Sequence, residues 1–415
     1  MPVHIAKNFA KDTRGATAIL FALVAVPAIT FVGAAIDYGQ ALSAKTRLQA
    51  ATDVAVAAGA GLPATANQNR SQAALAVFNS NMTGANFAAT TPVIQASNSG
   101  VTVTASVTVP TAFMGVVGIN SIEVTARAKA RSQIQNGGVA CLLALNPSTP
   151  DGLHMQGINK VSSPDCWAWV NSTNSTSINA TGAASGTAQG FCTAGQVSGA
   201  EHFHPTPYSG CDPMADPFYA KFENFNVPTG CTANNLQLSS GTHTLQPGVY
   251  CGNTIIKPQA NVTLAPGLYV MRDGYFQVQA NSSVTGNGVT LFFYGQNTKM
   301  EVRGGGSLDL KAPTSGDLAG FVIVDRKFDW YDPSIRETVI QGGGRLKIEG
   351  IVYTPQWKIN ISGNGEINEE AKFFTMIADS FYMEGNGKLN ITSQASEAGF
   401  PDLMPKIKNG PVILE

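Results

Sequence analysis

The sequence predicts a chain of mixed class. An N-terminal transmembrane helix runs on into a small α+β unit, followed by a disulfide-bearing loop-rich region and a C-terminal right-handed parallel β-helix. Three observations predict this. An uncharged run of 22 residues, Gly15 to Ile36, lies between Arg14 and Asp37. All six cysteines fall between positions 141 and 251. Glycine clusters then recur from Gly286 to Gly387, separated by short apolar runs.

The uncharged run, residues 15–36, is about 33 Å long as a helix, enough to cross a hydrocarbon core of about 30 Å. Its polar residues are Thr17 and Thr30, and Pro27 sits mid-span, where membrane helices tolerate proline better than soluble ones do. Lys7, Lys11 and Arg14 place residues 1–14 in the cytoplasm. A cleaved export signal is the alternative, but its apolar region is usually 7–15 residues and ends in a small-residue site. Here Asp37-Tyr38-Gly39-Gln40 continues into a helical pattern.

Residues 37–135 form the α+β unit. Leu42, Leu48, Ala51, Val54, Ala55 and Ala58 give one apolar stripe at helical spacing, and Gly59 to Pro63 is the stop. A second helix is expected over Ser71 to Asn79. The period then becomes two: Val101, Val103, Ala105, Val107 and Val109 alternate with polar residues, and Ile122 to Gln133 reads as another strand.

These residues resemble the N-terminal segment of TadG-like proteins of the tight-adherence (Flp) pilus assembly system. The shared pattern is an RG pair, an apolar span with a central proline, an aspartate just after it, then LQxAaD. Arg14, Gly15, Pro27, Asp37, Leu48, Gln49, Ala51 and Asp53 occupy those places. The resemblance implies a pilin-like α+β unit, a single-pass inner-membrane location with the body in the periplasm, and a role in pilus assembly or anchoring. Its implied partners are the inner membrane and other Tad pilus assembly proteins or pseudopilins, with cell-wall polysaccharide a candidate partner of the β-helix surface. Two departures matter. Ile19 and Leu20 stand where pilins carry the Glu-Tyr pair of prepilin processing. Asp332-Pro333-Ser334-Ile335-Arg336 lacks the second serine of the DxSxS metal motif of a von Willebrand A domain.

Charged residues make up 13% of the chain and the net charge is −1, so no electrostatic footprint for nucleic acid exists. Cys141, Cys166, Cys192, Cys211, Cys231 and Cys251 show no CxxC spacing, which argues against zinc and for three disulfides in an oxidising compartment. Fifteen connectivities are open. These cysteines sit in or beside residues 136–240, read as a loop-rich module in which Asn171, Asn174 and Asn179 are polar turns matching N-x-[ST].

Residues 241–398 read as the β-helix, with 399–415 a tail. TLQPGVY (Thr244 to Tyr250) is echoed by TLAPGLY (Thr263 to Tyr269), and the glycine clusters at 286, 304, 342, 363 and 385 are spaced 18, 38, 21 and 22 apart. Units of about 20 residues bury their apolar faces only by stacking on neighbours. The 38-residue interval marks an inserted or a missing rung.

No catalytic, cofactor or metal motif is present. His202 and His204 beside Glu201 are flanked by Pro205 and Pro207, which favours an exposed turn. The densest polar cluster, Asp325, Arg326, Asp329, Trp330, Asp332 and Arg336, has the residue types of a carbohydrate-contacting surface, against a solvated inter-rung loop. The expected function is non-enzymatic and membrane-anchored. The rival is a secreted β-helix that binds or cleaves polysaccharide, with the N-terminus as export signal. Gly33-Ala34-Ala35 suits close helix contact of the small-xxx-small kind and equally suits plain lipid exposure.

Overall fold

The computed structural model describes residues 16–62, 67–84, 91–97, 100–131, 138–295, 297–326, 336–368, 371–407 and 413–414. They fall into two compact units, the second (134–410) inserted in the chain of the first (1–133 with 411–415).

In the first unit, helix α1 (Ala16–Ala60) has two parts of opposite character. From residue 41 onward Ala41, Ala44, Leu48, Ala51 and Ala55 recur at three- and four-residue steps and are buried. Small alanines let the helix lie close on the sheet. Leu48, Ala51 and Ala55 of the expected stripe are therefore core, whereas Leu42 and Val54, also assigned to it, are about half exposed, and Ala41 and Ala44 complete the buried face. Between residues 20 and 36 the large side chains Phe21, Leu23, Val24, Ile29, Phe31 and Val32 are each more than 60% exposed. Helix α2 (Asn67–Met82) packs beside α1 through Ala74 and Phe78. Its buried Arg70 donates from Nε to the Gly59 carbonyl at 3.2 Å, a favourable cation at a helix C-terminus. Strands β1 (Val93–Ser97), β2 (Gly100–Pro110), β3 (Ser121–Arg131) and β4 (Ile413–Leu414) form an antiparallel sheet in that order. The alternation in β2 buries Val101, Val103, Ala105, Val107 and Val109, as its period of two requires.

In the second unit each turn of chain lays down three short strands, and each pairs in parallel with the strand a turn later, closing the sheet into a coil. Face 1 runs through Gly248–Cys251, Gly267–Arg272, Val289–Tyr294 and Phe321–Asp325. Face 2 runs through Thr254–Ile256, Tyr275–Val278, Lys299–Arg303 and Arg336–Gln341. Face 3 runs through Gly241–Leu245, Ala260–Leu264, Ser283–Asn287 and Ser307–Lys311. The single long strand Arg345–Gly363 crosses all three faces.

Glycine clusters at Gly304, Gly342, Gly363 and Gly385 stack at one corner, between faces 2 and 3. Gly363 has φ +66°, and a Cβ on Gly365 would lie 2.5 Å from the Ile340 carbonyl oxygen, so both positions demand glycine. The cluster at Gly286 belongs to another corner. The 38-residue interval is therefore one turn, enlarged between Lys311 and Phe321 and between Asp325 and Arg336. The TLQPGVY and TLAPGLY echoes are equivalent turns. Tyr250 and Tyr269 each donate a hydroxyl back across the Pro-Gly bend, to the carbonyls of Gln246 (2.6 Å) and Ala265 (2.8 Å).

Residues 136–240 do not form the loop-rich module expected. Most of them are further turns of the same coil: Ala140–Ala144 pairs with the last turn, Leu142 opposite Met376 and Leu143 opposite Ile377. The chain then winds onward through Lys160–Val170 and Ser185–Thr193 to Tyr208–Ser209. It resumes at the opposite end of the stack, where Ala233–Asn234 pairs with Tyr250 and Cys251. The interior of the coil is filled by its core side chains, so residues 212–230 cross back outside it as a strap. In these turns the glycine corner continues only as the single residues Gly157 and Gly182, stacked on Gly385, so Ser, Thr and Asn between the short strands read as loop.

The strap's contacts march back along face 1. The Trp169 indole donates to the Asp212 carbonyl at 3.0 Å. Asn171 holds both backbone groups of Met214 at 2.7 Å, which gives that N-x-[ST] asparagine a structural role. Phe218 and Phe222 pack on Phe321 and Tyr353, and Phe225 stacks on Phe292 at 5.1 Å. Arg272 donates to the Thr229 carbonyl at 2.8 Å. The cysteines pair in chain order: 141–166, 192–211 and 231–251. Two of these bonds fasten the ends of the strap. The tail is also engaged, since Phe400 and Met404 are buried in the second unit and β4 joins the first. Face 1 strands are thus covered on both sides, which explains their unbroken apolar runs.

Candidate functional site

The segment that resembles the pilus family is built around Asp37. Its carboxylate, buried on α1, accepts three consecutive backbone N–H groups of the β2–β3 loop: Ala112 and Phe113 at 2.9 Å and Met114 at 2.7 Å. Burial pushes this carboxyl up, but the N–H groups of Met114, Ala112 and Phe113 outweigh it and hold the pKa below the usual range. A depressed folded pKa means that the clamp is intact above about pH 4 and is lost only on further acidification. One turn toward the N-terminus, a Cβ on Gly33 would collide with Phe113. Gly33 is thus occupied by the protein's own loop, so this position does not offer the close helix contact expected of it. Pro27 lies exposed within α1, and Ile36 is 45% exposed; Gly15 lies outside the described residues. Further along, Leu48 and Ala51 are core, and Gln49 Nε2 donates to Asp53 Oδ1 at 2.8 Å. Asp37→Ala is expected to leave both helices and the sheet folded while raising amide exchange across residues 112–119 at least roughly ten-fold by hydrogen-exchange mass spectrometry.

The polar cluster at 325–336 is divided. Asp325 is fully buried at the end of its face 1 strand, with Arg336 Nη1 at 3.0 Å and Thr298 Oγ1 at 3.3 Å. Arg336 also donates to Gln356 Oε1 at 2.6 Å and to Thr298. Arg326 turns to the strap, donating to the Glu223 and Phe225 carbonyls, and lies over Tyr294. These three side chains join parts of the coil. Asp329, Trp330 and Asp332 lie outside the described residues. Burial pushes the Asp325 carboxyl up to about 7, against the pull of Arg336, Thr298 and Trp357. A raised folded pKa gives stability that is full below about pH 4 and lost as pH rises through about 7. The melting temperature of the wild type should therefore fall relative to that of Asp325→Asn between pH 5 and pH 8, by calorimetry.

Two lateral faces of the coil present outward side chains. On face 2, Glu301 accepts from Gln277 Nε2 at 2.7 Å and pairs with Lys299 at 2.8 Å. Lys358 Nζ sits 4.0 Å over the Tyr382 ring, which stacks on His154 at 4.2 Å. On face 3 an open groove of about 780 Å³ crosses several turns, with Asp309, Lys311, Lys347, Glu349 and Lys372 among its walls. Lys311 pairs with Glu349 there at 3.2 Å. His202 Nδ1 lies 3.0 Å from the Ala184 carbonyl. Among the described residues no group of three His, Cys, Asp or Glu is placed to hold a metal.

Sequence reasoning missed the loop held by Asp37. The run FMGVVGI, Phe113 to Ile119, was its signal, being apolar where a hairpin turn is ordinarily polar.

Residues 15–62 match the Tad family, described as Flp pilus-assembly TadE/G-like. No curated protein and no solved structure matches the chain.

Proposed function

We propose that this chain is a non-enzymatic component of Flp pilus assembly, anchored in the bacterial inner membrane by residues 15–36 with its body in the periplasm. One observation carries the reading: the TadE/G-like match falls on a helix whose large apolar side chains Phe21, Leu23, Val24, Ile29, Phe31 and Val32 stay uncovered, while Ala41, Ala44, Leu48, Ala51 and Ala55 further along are core. A core helix of a soluble protein would be covered along its whole length, whereas a span needs an uncovered apolar surface. Three disulfides suit an oxidising compartment. The coil, which we read as a right-handed parallel β-helix from the strong preference of parallel crossovers, serves as a rigid spacer presented to other Tad proteins or pseudopilins.

The test is the intact mass of the protein in alkali-washed membranes of its host, together with pilus counts after deletion of its gene. Full-length chain retained in washed membranes and loss of surface pili, restored by the whole chain but not by one lacking residues 1–36, is the expected result. A soluble chain shortened by about 35 residues, with pili unaffected, would overturn it. The second reading, a secreted polysaccharide-binding protein, draws on the face 3 groove and predicts retention of that shortened form on cell-wall glycan.

A further inference from the structure

The loop between β2 and β3 has a composition and a bonding pattern unsuited to water. Residues 111–120 carry no charge. Val116 is 83% exposed, and Phe113, Val117 and Ile119 are exposed beside it. A cluster of large apolar side chains held open in this way marks a contact surface. Seven backbone N–H groups under it have partners within the protein. Ala112, Phe113 and Met114 donate to Asp37; Val116 donates to Phe113, Gly118 to Gly115 and Ile119 to Met114; Thr111 closes the loop onto Asn120. Backbone that satisfies its hydrogen bonds internally is what an environment without water requires.

Position along α1 identifies that environment. Asp37 ends the uncharged run, and Phe113 packs at Gly33, four residues or about 6 Å inside it. The exposed loop side chains are therefore continuous with the uncovered surface of residues 20–36. We propose that Phe113–Ile119 is a second membrane contact, lying in the headgroup and upper acyl region of the leaflet where α1 emerges, so that the first unit meets the bilayer at two points and is fixed in orientation. Asp37 couples the two points. This inference rests on the anchored reading above.

The test is depth-dependent quenching. Among the described residues every cysteine is in a disulfide, so a single introduced thiol can be labelled with the fluorophore NBD. Val116→Cys, Ile29→Cys and Val93→Cys, each in the full chain, are reconstituted in phosphatidylcholine/phosphatidylglycerol vesicles containing doxyl-labelled lipid. Val93, paired with Thr104, lies about 20 Å of strand away from Pro110 and serves as the aqueous reference. The expected result is at least three-fold stronger quenching at 116 than at 93, greatest with shallow doxyl labels, and quenching at 29 greatest with deep ones. Quenching at 29 with none at 116 leaves the anchor standing and overturns the loop contact, pointing to a protein-facing patch. Absence of quenching at both sites overturns the anchored reading and the inference with it.

Discussion

Phe222→Ala is expected to destabilise the coil unit by about 3–5 kcal/mol, the usual cost of deleting a buried phenylalanine. Phe222 is fully buried on the short helix Tyr219–Glu223 of the strap, stacked on Tyr353 at 5.1 Å and edge-on to Phe321 at 5.0 Å and Phe292 at 6.1 Å. The strap cannot collapse into the vacated space, because its neighbours Phe218 and Phe225 are already seated on the same face. Lys221 is exposed but held on this helix; release of the strap should unfold its backbone for trypsin, so cleavage after that residue measures the effect locally and the urea midpoint measures it globally. Unchanged cleavage and an unchanged midpoint would show that the strap does not support face 1.

Removing both strap bonds, as Cys192→Ala/Cys211→Ala with Cys231→Ala/Cys251→Ala, is expected to cost about 3 kcal/mol for each bond in the chain-entropy account. The closed loops are similar, with separations of 19 and 20 residues. They lie at opposite ends of the stack and share no residue, so their effects should add. The Cys141–Cys166 bond closes a loop of similar length, with a separation of 25 residues, but its removal leaves both strap ends fastened. Its loss should therefore lower the urea midpoint without accelerating cleavage at Lys221. Equal acceleration by all three removals would argue against a strap pinned by its ends.

The local elements were legible because their signals are local. The stripe in α1, the alternation in β2 and the glycine corners each follow from backbone geometry within about 20 residues. The TadE/G-like segment was legible because it is continuous in sequence. Asp325 was misleading, since a charge reads as surface until Thr298 and Arg336 are known to converge on it from other parts of the turn. The Asp37 clamp was half visible. Its aspartate stood out by position, but its three N–H donors lie 75 to 77 residues away.

The sequence by itself determined the long helix with its uncharged first part, the small sheet, a parallel stacked body and the presence of disulfides, since each depends on the period, composition or spacing of neighbouring residues. Only the tertiary structure decided the order in which the turns stack, the strap that this order requires and the pairing of the cysteines. Leu143 meets Ile377 across 234 positions, and any exposed face 1 strand edge would offer the same hydrogen bonds. Fitting side chains over the whole stack, with the strap closed over it, selects that partner, and no local pattern records such a choice.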